Sequence, residues 1–203
     1  MLAQNMHMVS GEKPIAAYGI HVFSLPEPGI FMSKKDTMMA SAGDMIVHIN
    51  GRGGHGSMPW AAQDPITGMI EILSSLQSFI AKNFDALDPI VVNVGWIKAG
   101  NDHTTNIVPE QVGFGATVRS FSKKGYEETR SKIPTFIKGM AEAMGLSAEV
   151  EFSPATKVLI NHHHAVDRVE AVTKEMFGPQ RYFTMPAPIP GGEDYASILE
   201  EIP

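Results

Sequence analysis

Between positions 65 and 83, apolar residues recur with a helical period. Ile66, Met69, Ile70, Leu73, Leu76, Phe79 and Ile80 share one stripe, Asp64 is placed as N-cap and Pro65 takes the first helical position. A second stripe, Tyr126, Thr129, Ile133, Phe136, Ile137, Met140 and Met144, runs up to Gly145 and predicts another helix, kinked at Pro134. Strand patterns flank both helices: DMIVHINGR (44–52) alternates with period two, and PIVVNVGWIKAG (89–100), EQVGFGATVRSFS (110–122) and SAEVEFSP (147–154) are rich in β-formers. The resulting β-α-β-β-α-β order over residues 44–153 predicts an α+β, ferredoxin-like domain, a four-stranded sheet carrying both helices on one face. Its strand 90–97 is the candidate free edge, so a homodimer with a sheet continuous across a two-fold axis is expected.

The flanks follow a different pattern. Residues 1–43 offer one short apolar strand, Ala16 to Phe23, broken off by Pro26, Pro28 and Gly29. Residues 154–203 hold a helix in NHHHAVDRVEAVTKEMFG, an extended RYFTMPAPIP, and a helix start at GGEDYASILEEIP. Neither flank has a full sheet, and together they predict parts of an incomplete second domain.

Composition narrows the function classes. The 203 residues carry a net charge of -6 with no Lys/Arg-rich stripe, which disfavours nucleic acid and anionic membranes as partners. With 43% hydrophobic residues the chain can close a core. Cysteine is absent, excluding a thiol nucleophile or Cys-based metal site within the chain. No charged leader with an apolar stretch and no bilayer-length apolar run occurs, so a cytoplasmic protein is expected.

The densest chemical signal is GRGGHGSMPWAAQDP (51–65), in which four glycines surround His55. Glycine admits positive φ, so the loop is expected to turn sharply and present the imidazole; the alternative is an ordinary β-to-α turn with a solvated His. The G-x-G-x-x-G spacing of Gly51, Gly53 and Gly56 suggests dinucleotide binding, but Met58 to Gln63 intervene before the helix, and Ile97 and Lys98 end the next strand where an acid is needed. His21, in YGIHVF, suits a metal ligand or a hydrogen-bonded core histidine. Asn106 in HTTNIVP and Arg119 in TVRS suit a carboxylate, or equally a hairpin loop and an exposed strand end. His162, His163 and His164 are consecutive and diverge, predicting a polar helix lead-in. Gly191 and Gly192, before Glu193 and Asp194, fit an anion-binding nest or a plain helix cap.

Together, YGIHVFSLPEPG, MMASAGDM, GRGGHGSMP..AQDPI, TTNIVPEQVGFGATVRS and GGEDYASILEEIP resemble, in order and spacing, the metal-dependent amidohydrolases that include aminoacylases, hippurate hydrolases and auxin-conjugate hydrolases. The resemblance implies a ferredoxin-like lid, or dimerisation, domain (44–153) inserted in a zinc-peptidase-like catalytic domain present only in part (1–43 and 154–203). It implies hydrolysis of amide bonds in N-acyl amino acids or small peptides by two metal ions, zinc or manganese, with a glutamate as general base. His21 matches a metal ligand, and His55 matches the lid histidine that reaches a neighbouring subunit's site to polarise the scissile carbonyl. Asn106 matches the asparagine beside it, Arg119 the arginine near the substrate carboxylate, and Gly191 and Gly192 the glycine pair lining the pocket. The family's other metal ligands and its base have no match in these residues, and Trp60 stands where many relatives have a second histidine. The expectation is therefore a fragment with an incomplete metal site, inactive by itself. The competing expectation is a non-catalytic ferredoxin-like module for dimerisation or small-ligand binding.

Overall fold

The computed structural model describes residues 14–24 and 26–202; residues 1–13 of the predicted first segment lie outside them. In chain order the elements are β1 (Phe31–Ser33), β2 (Asp36–Met39), β3 (Ser41–Asn50), β4 (Gly54–His55), α1 (Pro65–Asn83), β5 (Ile90–Lys98), β6 (Ile107–Val108) and β7 (Gln111–Ser120). They continue with α2 (Lys123–Ala143), β8 (Ser147–Phe152), β9 (Leu159–Asn161), α3 (His163–Phe177), β10 (Tyr182–Thr184) and α4 (Ala196–Leu199). The chain divides into two compact units, one of residues 43–155 and one formed by the segments before and after it.

In the unit of residues 43–155, the sheet order is β5-β7-β3-β8, the ferredoxin-like arrangement. β3 and β8 pair antiparallel from Met45↔Phe152 to Asn50↔Ser147, and β5 and β7 from Ile90↔Ser120 to Lys98↔Gly113. The β5–β7 ladder is interrupted by a register shift between Val94 and Trp96. There the Trp96 indole lies across Gly115, where a Cβ would stand 2.1 Å from its Nε1, so β7 needs a residue without a side chain at that point.

Alternation along β3 and β7 sends Met45, Val47, Ile49, Val112, Phe114, Ala116 and Val118 into one core. Met69, Ile72 and Leu76 of α1, with Ile133, Ile137 and Ala141 of α2, complete it. Asp64 caps α1 by accepting from the Ile66 N–H at 2.9 Å, and the Ser122 hydroxyl caps α2 by accepting from the Gly125 N–H at 2.8 Å. Of the stripe predicted for α1, Ile66, Met69, Leu73, Leu76, Phe79 and Ile80 lie in or against this core, while Ile70 is 54% exposed and Ile72 is fully buried instead. Leu146 packs on the Gly68 side of the helix, where a Cβ on Gly68 would stand 2.3 Å from its Cδ1. α2 continues through Pro134 as one helix.

β3 enters this unit where the chain leaves it. Gly43 and Ala155 touch so closely that a Cβ on Gly43 would stand 2.7 Å from the Ala155 Cβ, and the Asp44 N–H donates to the Ser153 hydroxyl at 2.9 Å.

In the other unit, β1 pairs parallel with β10 and β2 antiparallel with β9, around a small core of Met39, Leu159 and Ala196. Phe177 of α3 stacks on Phe31 at 5.1 Å. The strand predicted over Ala16–Phe23 does not form: the segment pairs with no strand among the described residues, and Ile20 and Val22 are 85% and 86% exposed. Apolar alternation supports a strand only when a sheet edge pairs with it and a surface covers its apolar side chains, and Ile20 and Val22 are left uncovered.

Asp36, the first residue of β2, stands at φ 61°, a left-handed conformation costly for most residues but tolerated by Asp and Asn. Asp36 Oδ1 lies 2.8 Å from His163 Nε2 in the first turn of α3, and this contact holds the Asp36 carboxyl below the ordinary carboxylate range. A depressed carboxylate stabilises the fold fully above its unfolded value, and the contribution is lost as pH falls through the folded value. Asp36→Asn keeps the left-handed conformation and removes the charge, so the acid limb of thermal stability should flatten. Melting temperatures of wild type and variant between neutral pH and the lower carboxylate range would check it; parallel acid limbs would contradict the assignment.

No helix among the described residues is long and apolar enough to cross a membrane.

Candidate functional site

The residues singled out in the sequence fall into two groups, one in each unit. The first is built on the glycine loop after β3. Its base is closed by two reciprocal backbone bonds, Arg52 N–H to Gln63 O at 3.0 Å and Gln63 N–H to Arg52 O at 2.9 Å. Its far end is held by β4 pairing with β6, Gly54↔Val108 and His55↔Ile107, and by Gly56 N–H to Asn106 O at 2.7 Å.

The loop corrects the expected use of its glycines. None of Gly51, Gly53, Gly54 and Gly56 has positive φ. They are small because other backbone comes close: a Cβ on Gly51 would be 2.1 Å from Gln63 O, and one on Gly56 3.3 Å from Asn106 backbone atoms. His55 and Asn106 are thereby brought side by side, both exposed. The His55 ring is oriented from within the loop, its Nδ1 lying 2.7 Å from Ser57 Oγ and 3.2 Å from the Ser57 backbone N. Its Nε2 has no partner among the described residues.

Arg119 does not join them. It stands at the other end of β7 from the β4–β6 pair, eight residues beyond Gln111 and so about 27 Å along the strand. Its Nη1 donates to Val118 O at 2.8 Å and Gly43 O at 3.3 Å, fastening the first residues of the unit.

The second group lies in the other unit. Gly191 and Gly192 run beside β2 and β3: Ala40 N–H donates to Ile189 O at 2.9 Å, and a Cβ on Gly192 would stand 2.4 Å from the Ala42 Cβ and 2.5 Å from Thr156 Oγ1. This approach sets the next residue, Glu193, against His21, with Glu193 Oε2 2.5 Å from His21 Nδ1. Glu193 Oε1 accepts from the Tyr195 N–H at 3.1 Å. The His21 imidazole beside it, followed by the Tyr195 amide, outweighs burial and holds the Glu193 carboxyl below its ordinary value. Phe23 stacks on the His21 ring at 4.3 Å, and Tyr195 packs where a Cβ on Gly19 would be 3.2 Å away. His21 is thus tied by its Nδ1 to a carboxylate, with Nε2 unpartnered among the described residues. Glu193 as its partner was visible in the sequence only as an acid after a glycine pair.

Among the described residues, no three or more His, Asp or Glu side chains converge as a metal site requires. The residues present therefore do not fit a two-metal centre by themselves. His162 and His164 face each other at 5.5 Å while His163 turns to Asp36.

Comparison with known proteins accords with this architecture. Residues 40–143 match the family model described as peptidase dimerisation domain. The chain is 32% identical over 183 residues to a hippurate hydrolase of Campylobacter jejuni, covering 90% of this chain and 47% of that protein. It thus spans about half the length of the curated relatives it matches. Among solved structures, one described as an aminohydrolase from methicillin-resistant Staphylococcus aureus superposes with TM-score 0.79 at 22% identity, covering 90% of this chain and 47% of the other. A dinuclear metal-binding peptidase of the M20 family from Bacillus subtilis does so with TM-score 0.66 at 24% identity, covering 86% and 42%. At such identities the superpositions establish the fold, and the family match over more than half of the sequence establishes the lineage. The chain belongs to the M20 family of metal-dependent amidohydrolases and peptidases, of which residues 40–143 are the dimerisation domain.

Proposed function

We propose that this chain is the lid and adjoining catalytic portion of an enzyme that hydrolyses the amide bond of N-acyl amino acids or small peptides. In this reading His55 donates a hydrogen bond to the scissile carbonyl oxygen as negative charge develops there, and Asn106 lines the same spot. His55 and Asn106 act in this reading on a substrate held by a neighbouring subunit, whereas Arg119, far from them along β7, serves the carboxylate of a different substrate molecule; Gly191 and Gly192 line the pocket of the catalytic portion. The complete enzyme holds two metal ions, zinc or manganese, to which His21 supplies one ligand; the chain by itself is inactive.

The observation that carries the reading is the exposed His55 imidazole, held by a doubly closed loop beside Asn106 with Nε2 unpartnered among the described residues. A solvated turn histidine needs no such bracing. The second reading, a non-catalytic dimerisation module, rests on the match of residues 40–143 to a peptidase dimerisation domain. The test is to express the uninterrupted gene product and this chain in parallel, and to measure metal content and hydrolysis of a benzoyl-glycine amide. About two ions per chain with turnover in the former supports the enzyme; a metal-free, inert gene product supports the module.

We further propose that the unit dimerises through β5, which is an edge strand of its sheet with Val91 and Ile97 41% and 56% exposed. Charge on an edge strand opposes strand-to-strand pairing. Val91→Lys with Ile97→Lys is expected to shift the chain from dimer to monomer in analytical ultracentrifugation without changing its far-UV spectrum. A dimer persisting in the double variant would place the interface elsewhere.

A further inference from the structure

His55 can act in three ways that its sequence position does not distinguish: as a lone-pair ligand, as a base, or as a hydrogen-bond donor. Which is open to it depends on the ring nitrogen that carries the proton, and that is set by what the other nitrogen meets.

Residues His55 to Met58 form a tight turn closed by Met58 N–H to His55 O at 2.9 Å. Within it the Ser57 backbone N–H points at His55 Nδ1 across 3.2 Å. A peptide N–H can only donate, so at this contact Nδ1 has to accept. The Ser57 hydroxyl, 2.7 Å from the same nitrogen, can rotate to donate as well. The turn cannot easily swing away from this geometry, because Gly56 is bonded to Asn106 and packed on its backbone.

From this contact we infer that Ser57 fixes the neutral His55 ring in the form protonated at Nε2, making Ser57 a positioning residue and His55 a dedicated N–H donor. The inference rests on the reading of His55 as the group facing the carbonyl, and deepens it. A neutral imidazole held this way offers a hydrogen bond to an oxygen that gains charge during reaction. The same lock withholds the Nε2 lone pair, so the ring cannot ligate a metal or take a proton through its outward nitrogen. His21 has the opposite arrangement, with a carboxylate rather than a donor at its Nδ1.

The test is long-range 1H–15N correlation spectroscopy on the 15N-labelled chain at about pH 8, above the ordinary histidine range, with His55 assigned by the signal lost in His55→Gln. The expected spectrum has Nε2 protonated and Nδ1 bare, with an N–N coupling across the hydrogen bond from the Ser57 amide. Ser57→Ala keeps the peptide donor and should keep this pattern; Ser57→Pro removes it and should leave a mixture of the two neutral forms. A protonated Nδ1 in the wild type, averaged shifts there, or an unchanged pattern in Ser57→Pro would overturn the inference. Where Ser57→Pro disturbs amide signals beyond the loop, the wild-type pattern and its N–N coupling decide. Should the pattern hold while His55→Gln leaves amide hydrolysis by the complete gene product unchanged, the functional reading falls and the tautomer assignment stands.

Discussion

In the complete gene product, His55→Ala is expected to lower kcat by on the order of 10²–10³-fold, the usual effect of deleting one donor to a developing oxyanion. KM should move little, because the bond strengthens only as the carbonyl oxygen gains charge. Dimerisation should persist, since β4 pairs with β6 and not with the edge strand β5, and the loop is closed by backbone bonds that alanine retains. Metal content should persist too, because the ring hydrogen-bonds only to Ser57 among the described residues. Steady-state kinetics with metal analysis of the same preparation checks all three, and unchanged turnover would remove His55 from the chemistry.

Phe114→Ala should have the largest effect on stability. Phe114 sits in β7, the strand with both β5 and β3 as neighbours, and is 0% exposed in the core that α1 and α2 cover. Truncation removes buried apolar area and leaves a cavity that strands paired on both sides cannot close, at a cost of about 3–5 kcal/mol. In a unit of this size the loss corresponds to a fall in melting temperature of about 10 °C or more. Differential scanning calorimetry reads it directly. A fall of only a degree or two would mean that the sheet and helices collapse around the gap.

Most of the ferredoxin-like unit was legible because its elements are long and locally signed. Asp64 and Pro65 mark the start of α1, alternation marks β3, and β-forming runs mark β5 and β7. The two-residue strands β4 and β6 were not legible, since they exist only because the glycine loop and the segment before β7 meet in space. The glycines were seen and their reason missed: Gly51 and Gly56 answer to Gln63 and Asn106, neighbours that no local pattern reveals. At Ala16–Phe23 the pattern suggested a strand for which no partner is at hand among the described residues. His21 and Glu193 each stood out, but their pairing spans 172 positions of sequence. The site groups were thus readable as residue types, and their partners and orientation were not.

The meeting of Gly43 with Ala155 has a practical consequence. Because the first and last residues of this stretch lie side by side, it has the form of a closed cassette whose natural cut points adjoin. It can be lifted out, grafted into another host loop, or circularly permuted across that seam with a linker of a few residues. Such a transfer carries His55, its bracing loop and the edge strand together as one inheritable part.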